Sequence, residues 1–370
     1  MRAWAEKRAP AAELQPEDAP GQVRVRRFGP VGRITLDRTK QINALTLAMI
    51  VRIREALLRW ERDPEIKRIL IDGYGARGFC AGGDIRVVHD AARYHTDAAD
   101  RLWREEYLLD ALVADYRKPV VSVLDGIAMG GGIGLGGHAS HRLVTERSVL
   151  AMPEVRIGIS PDVGGLLLFA RAPGLVGAHL ALTGDQFGPG DALYLGFADA
   201  FAPSDRLGGL LGALAEGSAE EAVAAMRAPT PCAPIAEARS WIDHCYASTD
   251  VREVVTRLRA AGAAGAAAAD RIESASPLAV CVALRALAEA KVLDSLPDVL
   301  AQDLRVGLRF LEASDPVEGI RAVLFDKGHR PVWSPPSLSQ VEPAEVDRHF
   351  ATLGYAELDV RRDLRKPPRM

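Results

Sequence analysis

Residues 126–165 read GIAMGGGIGLGGHASHRLVTERSVLAMPEVRIGISPDVGG, and this stretch organises the fold and the site predicted for the chain. An apolar run, Pro119–Leu124, precedes it and predicts a buried strand. The glycines that follow, Gly130 to Gly132, let backbone N–H groups approach a ligand where a Cβ atom would collide. Two carboxylates come next, Glu154 and Asp162, each directly after a proline. Free amides beside carboxylates indicate acyl chemistry, which needs a holder for an oxyanion and a group that attacks or moves a proton.

Length and composition indicate an ordinary globular enzyme. The chain has 370 residues, 48% of them apolar and 26% charged, which is enough for a large core and more than one structural unit. The formal charge of −3 provides no general attraction to nucleic acid. No apolar stretch is long enough and sufficiently free of charge to span a bilayer. We therefore expect neither nucleic acid nor a membrane as a partner.

The first residues and the cysteines bear on the compartment. The first twenty residues mix three basic with four acidic side chains and contain no apolar run, unlike a secretory signal or a transit peptide. The cysteines show neither a C-x-x-C pattern nor zinc-ligand spacing, and they are Cys80, Cys232, Cys245 and Cys281. We expect a cytoplasmic protein with reduced cysteines and without structural disulfides.

Hydrophobic periodicity predicts strands alternating with helices in the first half of the chain. The predicted elements are a strand at Val31–Leu36, a helix from Leu47 to about Asp63, a strand at Ile69–Ile71, a helix that begins at Asp84, a helix at Asp97–Tyr116 and a strand at Leu143–Thr145. A unit of strand, helix, strand and glycine loop thus occurs twice, around Gly83 and around Gly131. Each of the two loops is expected to contribute one amide to a shared site.

The second half of the chain has a different composition. From about Ser204 to Leu311 it is rich in alanine and helical in pattern, with one apolar stripe of leucines at Leu300, Leu304, Leu308 and Leu311. We expect this region to form a lid or an oligomerisation element. The end of the chain, from Pro331 to Met370, is predicted to be mostly extended, with one short helix near Pro343–Leu353.

Glu106 stands out in the predicted helix Asp97–Tyr116. It lies on the inward apolar stripe, four residues after Leu102 and three before Leu109, whereas Glu105 lies off that stripe. A carboxylate in such a place must be paired, neutral or in use. A salt bridge to an arginine and a role at the substrate both remain open at this point.

Other motifs have simpler interpretations. Gly132–Gly137 fits G-x-G-x-x-G, but the helix after it must end by His141, too early for a dinucleotide-binding crossover. Cys80 has no histidine in a recognisable relation to it, so a packed thiol is favoured over a nucleophile. His138 and His141 have no third ligand in view, which favours capping or packing over metal binding.

The two proline-flanked carboxylates and Asp84 also have structural alternatives. Asp84 is favoured as a helix N-cap. Glu154 and Asp162 are each compatible with a plain turn residue beside proline, although the neighbouring glycine loop favours a functional role for Glu154.

The chain resembles the enoyl-CoA hydratase/isomerase (crotonase) superfamily, and in particular its hydrolase members, from about residue 23 to residue 355. The matching segments are Leu36–Thr46, Phe79–Arg86, Arg104–Tyr107, Met129–Gly132, Ala151–Glu154, Pro161–Gly165 and the late stretch Ser314–Trp333. The fold implied is α/β, a crotonase-like spiral of repeated ββα units with a helical C-terminal region. The resulting organisation is a flexible N-terminal tail (1–22), the core with the active site (23–203), the helical region (204–355) and a tail (356–370).

The resemblance also implies roles for particular residues. The amides of Gly83 and Gly131 would form an oxyanion hole for a thioester carbonyl. Glu154 and Asp162 would complete the catalytic set, and Glu106 would contact the substrate beside Gly131, Glu154 and Asp162. The CoA portion is assigned to Asn43, Ala44, Asp84 and Ile85. Hydratases of the superfamily carry a first glutamate three residues after Gly131, where this chain has Gly134, and that departure favours hydrolysis over addition of water.

The reaction implied is hydrolysis of a 3-hydroxyacyl-CoA thioester, with 3-hydroxyisobutyryl-CoA of valine breakdown as the favoured substrate. No metal or further cofactor is expected, and a small-molecule acyl-CoA is the expected partner, with a homo-oligomer as one further expectation. Whether Glu154 attacks the carbonyl or activates water stays open, as does the acyl chain. The alternatives are a hydratase or isomerase of the same superfamily and a non-catalytic acyl-CoA-binding protein.

Overall fold

The computed structural model describes residues 22–370, so the predicted N-terminal tail lies, except for Gln22, outside the described residues. The strands are β1 (Val23–Phe28), β2 (Val31–Leu36), β3 (Arg68–Gly73), β4 (Gly78–Cys80), β5 (Val120–Leu124), β6 (Ile127–Met129), β7 (His141–Val144), β8 (Val149–Ala151) and β9 (Ala200–Phe201). The helices up to β9 are α1 (Leu47–Arg62), α2 (Ile85–Tyr94), α3 (Ala98–Ala114), α4 (Gly131–Gly137), α5 (Gly165–Arg171), α6 (Val176–Thr183) and α7 (Pro189–Leu195).

The rest of the described chain is helical, with short extended connections. Its helices are α8 (Leu210–Glu216), α9 (Ala219–Met226), α10 (Pro234–Cys245), α11 (Val251–Ala260), α12 (Gly262–Ser274), α13 (Pro277–Leu293), α14 (Leu296–Phe310), α15 (Asp315–Leu324), α16 (Pro343–Phe350) and α17 (Val360–Asp363). No helix formed by residues 22–370 is both long enough and apolar enough to cross a membrane.

The strands form two sheets that the chain visits alternately. The larger sheet has the order β1-β2-β3-β5-β7-β9, with β1 and β2 antiparallel and the remaining neighbours parallel. The smaller sheet is parallel, in the order β4-β6-β8. In the chain, β3 is followed directly by β4, β5 by β6 and β7 by β8, so each of these strands of the larger sheet precedes a strand of the smaller one. One or more helices then lead to the next strand of the larger sheet. The predicted α/β spiral of ββα units is confirmed.

The larger sheet is buried on both faces because residues that alternate along a strand point to opposite sides. In β3, Ile69 and Ile71 face the main core with α1, whereas Leu70 faces a second apolar cluster. Leu210 of α8 and Val223 of α9 belong to that second cluster. The beginning of the region predicted as a lid or oligomerisation element is therefore a layer packed on the sheet.

Helix caps position the two segments that lead into the site. Thr46 accepts a hydrogen bond from the Met49 amide at 3.3 Å and begins α1, and Asp84 accepts one from the Arg86 amide at 3.2 Å and begins α2. The N-cap predicted at Asp84 is thus confirmed. Helix α3 agrees with the predicted Asp97–Tyr116 helix to within two residues at its C-terminus.

The prediction that Glu105 lies off the buried stripe of α3 is wrong. Glu105 is buried and forms an ion pair with Arg54 of α1, whose side chain is also buried. The same two groups bind the end of the chain: Arg54 donates to the Lys366 carbonyl at 3.2 Å, and the Arg369 amide donates to Glu105 at 3.1 Å. Residues 356–370, expected to be a tail, therefore dock on α1 and α3.

Removing the arginine of this pair should destabilise the protein strongly. Arg54→Met is expected to lower the free energy of unfolding by about 3–5 kcal/mol, because it leaves the Glu105 charge buried without its partner. Adding Glu105→Gln should recover much of that loss, since no buried charge then remains. Thermal and denaturant unfolding of the single and double variants measures both effects. Arg59→Met, an exposed position on the same helix, is the control; an Arg54→Met protein as stable as this control would contradict the role of the pair.

Candidate active site

A cavity of about 270 Å³ lies where the two glycine loops meet. Its walls come from the loop after β4, the loop after β6, α3 and the short 3-10 helix Glu154–Ile157. The sequence-predicted residues that line it are Gly83, Ile85, Glu106, Gly131, Glu154 and Asp162. The structure thus brings together every residue predicted for the oxyanion hole and the acid–base chemistry.

Two backbone N–H groups in the cavity wall have no hydrogen-bond acceptor among the described residues. The Gly83 N–H makes no hydrogen bond within residues 22–370, while its neighbours Gly82 and Asp84 are anchored to Leu45 at 2.8 Å. Gly131 is the first residue of α4, where an N–H has no partner within the helix. A Cβ atom built on Gly131 would lie 3.0 Å from the Gly83 nitrogen, so the two amides are adjacent.

Glu106 faces both loops. A Cβ atom on Gly131 would lie 2.1 Å from Oε1 of Glu106, and one on Gly83 would lie 3.5 Å from Oε2. Among the described residues no arginine, lysine or histidine pairs with Glu106, and its Oε1 has no hydrogen-bond partner. Burial and the nearby Asp162 charge raise the pKa of Glu106 to about 8. The salt-bridge interpretation of Glu106 is therefore wrong, and a side chain at position 131 would collide with Glu106.

Glu154 and Asp162 also line the cavity. Oε1 of Glu154 lies 2.8 Å from the place of a Cβ atom on Gly130, a residue at φ +48° that glycine adopts without strain. Burial, and next the charge of Asp162, raise the pKa of Glu154 well above its usual range. Asp162 accepts a hydrogen bond from the Tyr107 hydroxyl at 2.7 Å, yet burial still raises its pKa to about 6. The carboxylates interact, so they titrate as a set.

Sequence reasoning missed two further carboxylates beside this set. Asp110 is fully buried in α3, and neither of its oxygens has a hydrogen-bond partner among residues 22–370. Asp303 of α14 is buried and accepts a hydrogen bond from the Gly164 amide at 2.8 Å. The helical spacing that revealed Glu106 also contains both, since Asp110 lies four residues after Glu106 and Asp303 lies three residues after Leu300 of the predicted leucine stripe.

The space beside Gly134 is filled. A Cβ atom at this position would lie 2.6 Å from Oδ2 of Asp110 and 2.7 Å from Cβ of Val163. Because both neighbours are buried, a longer side chain has no room to extend. Position 134, where the resemblance places the first glutamate of hydratases, is therefore closed to a glutamate side chain in this arrangement.

The remaining chemical candidates have packing roles. The Cys80 thiol is buried, contacts the Asn43 carbonyl at 3.3 Å, and has its pKa raised to about 12 by burial. The ring of His138 donates from Nε2 to the Val163 carbonyl at 2.8 Å, with its pKa lowered to about 4 by desolvation. His141 contacts Ser140 instead. Within residues 22–370 no cluster of three histidine, cysteine or acidic side chains is arranged to hold a metal ion.

The residues assigned to CoA have different surroundings. Ile85 lines the cavity, whereas Ala44 is half-buried in the chain segment before α1. Asp84 is occupied by its cap and by an ion pair with Arg38 at 2.8 Å. The side-chain amide of Asn43 donates to three backbone carbonyls at 3.0–3.1 Å, so it holds the loop before β4 in place. Of these four residues, the structure places only Ile85 in the cavity wall.

A sequence-family model and curated relatives place the chain in the same family. The sequence model described as enoyl-CoA hydratase/isomerase matches residues 31–350. Two curated proteins named 3-hydroxyisobutyryl-CoA hydrolase, mitochondrial, from Rattus norvegicus and Homo sapiens, are each 37% identical to this chain. The alignments cover 91% and 92% of this chain and 90% and 91% of those proteins. Since both names place those relatives in mitochondria, the cytoplasmic location expected from the sequence finds no support here.

Solved structures share the fold over nearly their whole length. A crystal structure titled carnitinyl-CoA dehydratase, from Mycobacterium thermoresistibile, has a TM-score of 0.88 and 43% identity and covers 91% of this chain and 98% of its own. One titled enoyl-CoA hydratase, from Rhodobacter sphaeroides, has a TM-score of 0.86 and 39% identity and covers 91% of this chain and 99% of its own.

Neutralising Asp110 should stabilise the protein in a pH-dependent way. Burial, and then the charges of Glu106, Asp162 and Asp303, hold its pKa well above the usual range. Its ionised form therefore disfavours the folded state, and this cost grows as the pH rises from the ordinary carboxyl pKa through the raised one. We expect Asp110→Asn to raise the melting temperature by a few degrees at pH 8 and by less at pH 5. Asp97→Asn, on the exposed end of the same segment, should show no such trend; equal shifts at both pH values would contradict the argument.

Proposed function

Because the chain belongs to the enoyl-CoA hydratase/isomerase family, we propose that it hydrolyses 3-hydroxyisobutyryl-CoA to 3-hydroxyisobutyrate and free CoA. The curated relatives that match over nine-tenths of the chain carry this activity in their names. The observation that carries the proposal is the pair of unpartnered N–H groups at Gly83 and Gly131 facing the carboxylates of Glu106 and Glu154. CoA is part of the substrate, and the proposal includes no further cofactor.

The two amides supply the electrostatic part of the reaction. The thioester oxygen accepts both N–H groups, which favour the oxygen more strongly once it carries the full charge of the tetrahedral intermediate. In comparable sites, removing one donor of this kind lowers kcat by about 10²–10³-fold. Since the amides belong to loops that follow β4 and β6, neighbouring strands of the smaller sheet, they need little reorganisation as the charge develops.

Glu154 supplies the nucleophilic part, by one of two routes. In one, its carboxylate attacks the carbonyl carbon, the C–S bond breaks, the thiolate takes a proton, and water then cleaves the mixed anhydride. In the other, Glu154 removes a proton from water as that water attacks, and the proton passes to the departing sulfur. Asp162, held by Tyr107, positions the water or shares a proton with Glu154. Both routes need Glu154 ionised, so its raised pKa predicts that activity falls as the pH is lowered.

A hydratase of the same family is the second candidate, and the titles of the solved relatives favour it. Addition of water to an enoyl-CoA in this superfamily uses two glutamates that flank the substrate, and this chain keeps Glu154 alone of the two. Asp110 and Val163 fill the space beside Gly134, which leaves no room for the other. Purified protein incubated with a 2-enoyl-CoA ester should therefore leave the conjugated absorbance unchanged.

Location and assembly are part of the same proposal. A cytoplasmic location stays a prediction, and fractionation of cells that express the full chain tests it against a mitochondrial location. A homo-oligomer stays a prediction, which the solution mass of the full chain tests.

The central test is release of free CoA from 3-hydroxyisobutyryl-CoA, followed with a thiol reagent. The wild type should turn this ester over, whereas Glu154→Gln should lose at least about 10³-fold in kcat, because the amide neither attacks nor takes a proton. Binding of the CoA ester to Glu154→Gln, measured by calorimetry, should persist. Glu65→Gln, an exposed position, is the matched control. Near-wild-type CoA release by a folded Glu154→Gln protein would end the mechanism.

Substrate choice should depend on Glu106, whose Oε1 has no partner in the described structure. We expect it to bond the 3-hydroxyl group of the acyl chain, so that an ester without the hydroxyl leaves a buried polar group unpaired. The wild type should then prefer 3-hydroxyisobutyryl-CoA over isobutyryl-CoA by up to roughly 10⁴-fold in kcat/KM. Glu106→Ala should narrow this ratio, mainly by slowing the hydroxylated ester.

A purely structural role for Glu106 has a different signature. In that case both esters would slow equally in Glu106→Ala and the melting temperature would change. Rate constants for both esters, measured with melting temperatures, separate the two outcomes, and an unchanged ratio rejects hydroxyl recognition.

A further inference from the structure

The loop that carries Asp162, Pro161–Gly165, has an unusual backbone. Val163 lies at φ +51° and Gly164 at φ +71°. A left-handed conformation is ordinary for glycine but costly for a β-branched residue, and such conformations persist only where the surroundings enforce them. Val163 is nevertheless fully buried, with its Cβ beside Gly134. The contacts that hold this loop therefore decide where Asp162 points.

Three side chains hold the loop. Tyr107 of α3 donates from its hydroxyl to Asp162 at 2.7 Å. His138, neutral because desolvation lowers its pKa to about 4, donates to the Val163 carbonyl at 2.8 Å. Asp303 accepts the Gly164 N–H at 2.8 Å. Asp303 is the one member of this set that comes from the C-terminal helices.

The environment of Asp303 is expensive for a carboxylate. Its side chain is buried in α14, and no basic side chain pairs with it within residues 22–370. A buried charge without a cation reduces stability, and an apolar residue of similar size would pack there at lower cost. The contact that this carboxylate makes with Gly164 lies two residues from Asp162, on the far side of the left-handed Val163.

We propose that Asp303 is a positioning residue for the thioester reaction. By accepting the Gly164 N–H it holds Val163 in the left-handed conformation, and this keeps Asp162 in the cavity wall that it shares with Glu154. The ββα core then supplies the reacting groups, and α14 supplies the side chain that positions one of them. The proposal rests on the proposed hydrolysis, in which Asp162 acts on the attacking water or on the proton of Glu154.

The first test compares two substitutions of similar size. Asp303→Asn keeps an oxygen that accepts the Gly164 N–H, whereas Asp303→Leu removes the acceptor. We expect Asp303→Asn to keep most of the wild-type kcat and Asp303→Leu to lose about 10²-fold in kcat with little change in KM, as misplacement of a reacting group by about 1 Å does. If the two folded variants have equal kcat, the positioning role is overturned.

The second test addresses the backbone directly. Glycine adopts the left-handed region without strain, so Val163→Gly should make the loop less dependent on Asp303. In a double-mutant cycle, Val163→Gly is expected to return at least about tenfold of the kcat lost in Asp303→Leu. Additive losses of kcat in the double variant would overturn the proposal.

Different results would reject the proposed hydrolysis and the positioning role of Asp303. Absence of CoA release by the wild type would reject the proposed hydrolysis, whatever the Asp303 variants do. The Asp303 series is scored as kcat relative to the wild type, with melting temperatures alongside. Normal turnover by the wild type together with wild-type kcat in a folded Asp303→Leu protein would reject only the positioning role.

Discussion

Five carboxylates lie in one interior region, and among residues 22–370 no basic side chain forms an ion pair with any of them; this is the constraint on which the rest of the structure depends. They are Glu106, Asp110, Glu154, Asp162 and Asp303, and all except Asp162 are buried. Their charges disfavour one another, so they stay together only because strands, α3 and α14 pack firmly around them. The apolar core thus provides the free energy that keeps a reactive set of acids in one place.

The fold could be predicted where apolar periodicity extends over enough residues. Strand β2 and helices α1 and α3 have such runs and were placed within a few residues of their observed ends. Strands β4, β6 and β8 have three residues each, too few to show a period of two, and their order in the smaller sheet follows from tertiary packing. The packing of α8 and α9 on the larger sheet also follows from tertiary contacts, so the local sequence does not indicate it.

The site could be predicted as far as local pattern and family resemblance reach. The glycine loops and Glu154 have a sequence signature, and Glu106 follows from helical spacing. Helical spacing does not predict the burial of Glu105, because α3 is buried on nearly all sides and has no polar face that separates inside from outside. The structural roles of Asn43 and Asp303 depend on partners 35 and 139 residues away, and nothing in the neighbouring sequence indicates them.

The packing around Gly134 has a consequence for the evolution of this family. Asp110 and Val163, on two different elements, fill the space that a side chain at position 134 would need. A single substitution of Gly134 by a larger residue collides with Asp110 and Val163. A smaller residue at position 110 or 163 without that substitution leaves a void. Conversion between the two chemistries is therefore an epistatic problem, in which three positions must change together. Lineages that have filled this space are expected to keep their chemistry over long divergence while the surface drifts freely.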